Sequence, residues 1–252
     1  MKIIRMANLG LMDELLSEPS IWYCQSCNRC SQICPMTVKP AAVIAYVREV
    51  MLQKNLVSLE TFHQFRDLLR RFQRVRWHAV LSCLKKEKLS ISRPQFDELL
   101  NRPITPENEP ILLDLSSQFS PSLIKALKEA DTPACFTCAG CSSSCPVFYE
   151  RGLFEPQTIF RMANLGLTGK LFKSPAIWLC IGCRKCTDSC GQLVKGHAII
   201  EMLRTLSVKE GIIPISFQAQ LKEMEKIIYP YLLEEIDEMF GFVHDNQGQA
   251  VN

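Results

Sequence analysis

Twelve of the thirteen cysteines in this 252-residue chain fall into three runs of one spacing, C-x2-C-x2-C-x3-C. They stand at Cys24, Cys27, Cys30 and Cys34, at Cys135, Cys138, Cys141 and Cys145, and at Cys180, Cys183, Cys186 and Cys190. Four thiols so close together constrain a chain more than its hydrophobic pattern does, because they must be cross-linked, bound to metal or held apart. The segment Met1–Asn8 has a charge at Lys2, no continuous apolar stretch and no small-residue cleavage site, so it does not read as a secretory signal. A reducing, cytoplasmic setting is expected, where structural disulfides are rare and metal binding is the usual reason for abundant thiols.

Pro35 follows the first run and Pro146 the second, completing the bacterial ferredoxin signature of a 4Fe-4S cluster, whereas the third run has Gly191 in that place. A cubane presents iron corners a few ångströms apart, and three thiolates spaced two residues apart on a tight loop can reach three of them. The fourth thiolate comes from elsewhere; in two-cluster ferredoxins the last cysteine of each run ligates the other cluster. A structural zinc site instead uses two C-x2-C pairs, usually separated by a longer loop, and here a third cysteine follows at once. A zinc-binding structural module is therefore the weaker alternative. No C-x-x-C-H is present for covalent haem.

The remaining composition is that of an ordinary globular chain. Hydrophobic residues make up 47% and charged residues 22%, and 29 basic against 26 acidic side chains leave a formal charge of +3. That balance gives no electrostatic footprint for nucleic acid, and no apolar run approaches the ~20 residues needed to span a bilayer, so a soluble chain with no membrane span is expected. The four histidines, His63, His78, His197 and His244, are scattered without ligand spacing. There is no G-x-G-x-x-G or Walker loop, and no catalytic residue is assigned.

Shifting the chain by 156 residues aligns Ile4–Arg48 with Phe160–Arg204 without a gap, and Arg-Met-Ala-Asn-Leu-Gly-Leu occurs both at Arg5–Leu11 and at Arg161–Leu167. Pro19, Ile21, Trp22, Val38, Lys39 and Arg48 recur as Pro175, Ile177, Trp178, Val194, Lys195 and Arg204. This is an internal duplication. Its second copy holds two cysteine runs and its first copy holds one, so the chain is expected to open inside a repeat unit. Cys24, Cys27 and Cys30 then lack an obvious fourth thiolate. Cys34, Cys83 and a partner's cysteine remain as closures, beside a 3Fe cluster or an empty site. Cys83, in the apolar stretch Val80–Leu84, reads as a core residue.

Helical signals predominate. Pro156 opens a helix with Ile159, Met162 and Ala163 inward and Gly166 as its stop; Pro40 opens another with Val43, Ile44, Val47, Val50 and Met51 on one face. The duplicate of the latter carries Ile199, Ile200, Leu203 and Leu206, and Ser120-Pro121 starts a helix expected to bury Leu123, Ile124, Leu127 and Ala130. Residues 61–88 read as a helix or helix pair, with Phe62, Phe65, Leu68, Leu69, Phe72 and Val75 inward. Arg66, Arg70, Arg71, Arg74 and Arg76 crowd its other side, as a solvated face or a docking patch for an acidic partner. Lys39, Arg184, Lys185 and Lys195 lie near the runs. The stretch 101–110 reads as a linker, 111–115 as a short strand, and 217–228 as a helix that Pro230 interrupts before a second segment to Phe240 and a disordered polar tail. The expected organisation is a partial repeat with a helical extension over residues 1–100, a complete two-run unit over 111–215, and C-terminal helices with the tail over 216–252.

The motifs Cys135-Phe-Thr-Cys-Ala-Gly-Cys-Ser-Ser-Ser-Cys-Pro146, Arg161-Met-Ala-Asn-Leu-Gly166 and Ile177-Trp178 resemble those of the heterodisulfide reductase C-subunit family, an alpha-helical ferredoxin. The resemblance covers residues 111–213 as a whole unit and 3–57 as its second half. It implies an all-α fold, a duplicated alpha-helical ferredoxin. It implies one cluster on Cys135, Cys138, Cys141 and Cys190 and a second on Cys180, Cys183, Cys186 and Cys145. Cys24, Cys27, Cys30 and Cys34 are candidates for a third. It also implies a non-catalytic electron-transfer protein that relays single electrons between two other components of a heterodisulfide reductase, an A-subunit-like flavoprotein and a B-subunit-like catalytic partner. The alternative is the iron-sulfur subunit of a membrane-associated, quinone-linked oxidoreductase.

Overall fold

The computed structural model describes residues 2–87, 90–104, 121–148, 154–244 and 250–251. The protein is all-α. Its N-terminal half repeat comprises α1 (Lys2–Asn8), α2 (Met12–Leu16), α3 (Arg29–Gln32) and α4 (Pro40–Gln53). Proline at the first position of α4 leaves no backbone donor unsatisfied there, and Ile44, Val47 and Met51 bury the inward face.

Two longer helices follow. In α5 (Leu59–Leu84) Phe65, Leu68, Phe72, Val75, Ala79 and Cys83 repeat at three- and four-residue steps and are buried, and the Ser58 hydroxyl caps the start by accepting from the Thr61 N–H at 3.0 Å. It is one continuous helix, and Cys83 is a core residue at 2% exposure. The shorter α6 (Arg93–Asn101) packs against it through Phe96 and Leu100.

The complete unit runs through α7 (Pro121–Glu129), α8 (Gly140–Ser143), α9 (Pro156–Asn164), α10 (Thr168–Lys173), α11 (Ala176–Leu179), α12 (Lys185–Asp188) and α13 (Gly196–Lys209). Ile159, Phe160 and Ala163 of α9 and Ile199, Ile200, Leu203 and Leu206 of α13 are buried. Leu123 and Leu127 bury the inner side of α7, and Ala130 just past its end is buried as well. Ile124 is 40% exposed, since it falls just outside the stripe that Leu123 and Leu127 define.

The last helix, α14 (Phe217–Phe240), runs through Pro230 instead of stopping there. Met224, Ile228, Leu232 and Ile236 bury both of its halves, chiefly against α5, so packing outweighs the roughly 3 kcal/mol that proline costs inside a helix. The two ends of α14 cover the repeated tryptophans. Phe217 meets Trp178 at 4.7 Å between ring centroids, and Phe240 stacks on Trp22 at 4.1 Å. Tyr23 adds a hydrogen bond from its hydroxyl to the Asp237 carboxylate at 2.6 Å. Helices α5 and α14 thus tie the two copies of the duplication together. Beyond α14, Val243–His244 pairs antiparallel with Ala250–Val251 in the tail read from sequence as disordered. The strand read at 111–115 and the second half of the 101–110 linker lie outside the described residues.

The arginine-rich side of α5 is not a uniform face. Arg66 and Arg70 are exposed, Arg71 pairs with Asp67 and Asn101, and Arg76 is buried at 5%, where it donates to the Leu179 carbonyl and to Gln73. A long side chain leaving the edge of an apolar stripe can turn inward when a carbonyl awaits it.

Candidate metal centre

All three cysteine runs adopt one backbone conformation. The second residue after the first cysteine is left-handed in each, at Ser26, Thr137 and Gly182, and so is the fourth, at Asn28, Ala139 and Arg184, with φ between 54° and 66°. Only Gly182 adopts this conformation without a Cβ penalty of roughly 1–2 kcal/mol, so five other positions hold strained backbone to curl the loop. The curl points backbone N–H groups at sulfur: Ser26 donates to Cys24 Sγ and Gly182 to Cys180 Sγ, both at 3.4 Å.

Each loop of the duplicated halves is braced from below by an arginine. Arg48 donates to the carbonyls of Ile21 and Cys24, each at 2.6 Å, and to Ser26 Oγ at 3.1 Å, and it lies 5.2 Å from the Trp22 ring. Its duplicate Arg204 donates to the carbonyls of Ile177 at 2.7 Å and Cys180 at 2.6 Å, 5.4 Å from the Trp178 ring. Burial pushes both guanidinium pKa values down, opposed by the neighbouring Cys24 and Cys180 thiols. The recurrence of this arginine is visible in the sequence, but its role is not.

The second and third runs face each other. Cys135, Cys138, Cys141 and Cys190 line one small cavity, together with Cys186 and Phe160. Cys145 lies across from the third run. Burial foremost pushes its thiol up to about 12, and the Cys183 and Cys180 thiols add to that. Burial likewise raises Cys186 to about 12, with Cys180, Cys183, Cys145 and Cys141 contributing. Gly196 has a packing reason to be glycine, since a Cβ there would strike the Phe160 ring and stand 3.0 Å from Cys186 Sγ.

The N-terminal run packs on the third. Burial raises Cys24, opposed by Arg48, while the Cys27 and Cys30 thiols act in the same direction as burial. Cys183 is raised by burial first, then by Cys180 and Cys27, so Cys27 and its own duplicate are neighbours. Gln32 likewise donates to Asp188, its duplicate 156 positions on, at 2.5 Å. Equivalent positions of the two half repeats thus meet at this joint. The run 180–190 therefore has a cysteine run on either side. Cys34 sits half-buried at the head of the turn Cys34–Thr37.

The donor set suits an iron-sulfur cluster. It is all thiol, it surrounds a cavity, and its loops carry N–H groups directed at sulfur. Among the described residues no three His, Cys, Asp or Glu side chains converge closely enough for a single ion. A cubane spreads its four thiolates over separate iron corners, whereas one tetrahedral ion draws them to a point. Of the histidines, His197 bonds Thr187 Oγ1 at 2.8 Å, and Lys195 pairs with Asp131. Among the described residues no helix is long and apolar enough to cross a membrane.

Residues 131–194 match the family described as 4Fe-4S dicluster domain. The chain is 32% identical over 98 residues to the C subunit of the H(2):CoB-CoM heterodisulfide,ferredoxin reductase of Methanothermobacter thermautotrophicus, covering 39% of this chain and 52% of that protein. It is 30% identical over 113 residues to a heterodisulfide reductase C-subunit-like protein of Archaeoglobus profundus, covering 45% and 54%. It is 33% identical over 78 residues to the iron-sulfur C subunit of the CoB--CoM heterodisulfide reductase of Methanopyrus kandleri, covering 31% and 40%. The chain spans about half the length of the first two of these relatives. By its helical fold, its dicluster segment and these matches, the chain is similar to the C subunit of heterodisulfide reductase.

Proposed function

We propose that this protein is an iron-sulfur electron-transfer subunit of a heterodisulfide-reductase-like complex. In this reading Cys135, Cys138, Cys141 and Cys190 hold one 4Fe-4S cluster and Cys180, Cys183, Cys186 and Cys145 a second. The observation that carries it is the single cavity that gathers three cysteines of one run and the last cysteine of the opposite run. Clusters held there would supply one-electron carriers. The residues of the chain do the rest. The left-handed loops aim N–H groups at sulfur, and Arg48 and Arg204 place positive charge beneath the first cysteine of their runs; both favour the more reduced, more negative state. The buried Trp22 and Trp178 keep water from beneath the same loops, which strengthens those interactions while opposing added charge by itself. The partners proposed are a flavoprotein like the A subunit of heterodisulfide reductase on one side and a catalytic protein like its B subunit on the other, since the relatives are themselves named as subunits.

Iron, acid-labile sulfide and zinc counted together on anaerobically purified protein test this. About eight iron per chain, with matching sulfide, is expected from the two sets of the complete unit. About twelve adds a third set at Cys24, Cys27 and Cys30. Stoichiometric zinc without sulfide rejects the electron-transfer reading.

A further inference from the structure

In the complete unit, α7 and the 3-10 turn Thr132–Ala134 lie against α13 and α9, where Ala163 and Ile199 are wholly buried. Two residues pin this seat. The Lys195 N–H donates to the Ala130 carbonyl at 2.9 Å, while its ammonium donates to the Glu129 carbonyl at 2.9 Å and lies 3.3 Å from Asp131. Asn164 donates to the Thr132 carbonyl at 3.0 Å. Behind the seat, the run that begins at Cys135 is carried to Cys190.

The N-terminal half repeat has the same seat with nothing on it among the described residues. Its positions are Ala7, Val43 and Val47, with Asn8 and Lys39 in place of Asn164 and Lys195. Ala7, Leu15, Val43, Tyr46 and Val47 line an open, mainly apolar groove of about 410 Å³. Val38 is 37% exposed where its duplicate Val194 is 2%, and Tyr46 is 56% exposed. Asn8 and Lys39 are both exposed, and among the described residues neither side chain makes a hydrogen bond or ion pair.

We propose that this groove is the docking seat for a segment of another protein of the complex that is organised like residues 121–145, an amphipathic helix leading into a C-x2-C-x2-C-x3-C run. The duplicate unit defines the occupant's chemistry. It needs apolar side chains spaced like Leu123, Leu127 and Ala130 to fill the groove, helix-terminal carbonyls and an acidic side chain for Lys39, and one further carbonyl for Asn8. The proposal rests on the reading of the cysteine runs as cluster ligands. Docked this way, the partner's run meets Cys34, the duplicate of Cys190, and its last cysteine, placed as Cys145 is, completes the set of Cys24, Cys27 and Cys30. A second copy of this chain does not supply the segment, because its own α7 is already seated on its own α13.

The test replaces Tyr46 with the photo-crosslinker p-benzoylphenylalanine in the full chain, produced in its native host. The complex is isolated anaerobically, irradiated and digested, and iron and sulfide are counted in the same preparation. The expected crosslink joins position 46 to a helix of another chain that directly precedes a C-x2-C-x2-C-x3-C run. Lys39→Glu in the same background is expected to abolish that crosslink and to remove about eight iron from the complex, the two clusters that the docked run shares with the N-terminal run. A crosslink to a chain without such a run, to residues 121–148 of a second copy or to an upstream segment of the same polypeptide overturns the proposal, as does no crosslink at all. Any of these with eight iron retained leaves the electron-transfer reading standing, whereas an iron-free wild-type preparation rejects that reading itself.

Discussion

Arg204→Met is the sharpest probe of the brace beneath the third cysteine run. Methionine keeps most of the apolar stem but removes the fork that holds the Ile177 and Cys180 carbonyls at 2.7 and 2.6 Å. Charge-assisted bonds of this kind contribute about 1.5–3 kcal/mol each, and the contact with the Trp178 ring adds about 1 kcal/mol. Part of this is offset, because the variant no longer keeps a cation out of water. The net loss is about 3 kcal/mol. In a chain of this size that lowers the melting temperature by about 6–12 °C, at roughly 2–4 °C per kcal/mol. Thermal denaturation of the loaded protein, followed anaerobically by circular dichroism, reads it directly. Arg204→Lys recovers only part of the loss, because one ammonium cannot hold two carbonyls in a fork. Arg48→Met provides an internal control, since its side chain makes the equivalent two bonds and one more to Ser26. Melting of Arg204→Met within about 1 °C of wild type, or full rescue by lysine, refutes the brace.

Cys190→Ser is expected to cost about four iron per chain while Cys83→Ala costs none, by elemental analysis; equal loss from both breaks the assignment of ligand and core cysteine. Gly196→Ala drives a methyl into Phe160 and toward Cys186 Sγ, an overpacking worth about 1–3 kcal/mol, and is expected to lower the melting temperature and speed iron loss to a chelator; unchanged release counts against the close approach. Pro230→Ala restores a backbone donor within α14 and is expected to raise the melting temperature; a fall shows that the proline fits a bend the helix needs. Burial foremost holds His78 and His197 below the usual imidazole range, so folding favours the neutral rings. Their contribution is full above pH of about 6.5 and drains away as pH falls below it. A His78→Gln, His197→Gln double variant should therefore lose less stability than wild type between pH of about 7.5 and about 5.5, and an equal loss rejects the linkage.

The parts of the fold written in local chemistry were legible beforehand. The three runs, the duplication and the proline-initiated helices α4 and α9 rest on spacing and on residue types with one common use. What escaped depends on packing across long sequence distance. Pro230 signals a helix end locally, yet Met224, Ile228, Leu232 and Ile236 find α5 on both sides of it. Arg76 sits beside exposed arginines in sequence, and only the fold reveals the Leu179 carbonyl that draws it inward. The left-handed loop positions were hidden because Ser26, Asn28, Thr137, Ala139 and Arg184 are not glycine, and Gly182 alone hints at the shared conformation. For the site, cysteine spacing showed which thiols group within a run, and the resemblance implied that Cys190 joins the opposite run; the cavity that Cys190 lines with Cys135, Cys138 and Cys141 depends on the fold of the whole unit.

The contact between equivalent positions of the half repeats bears on how such a chain evolves. In a dimer of identical single units, a residue on the axis faces its own copy, so any charge there meets itself and repels. Joining two copies in one polypeptide removes that restriction. Gln32 now donates to Asp188, although each is the other's counterpart, and neither two glutamines nor two aspartates would make a charge-assisted bond there. Duplication within one gene thus let each side of the joint specialise, one as donor and one as acceptor, and fixed which half faces which.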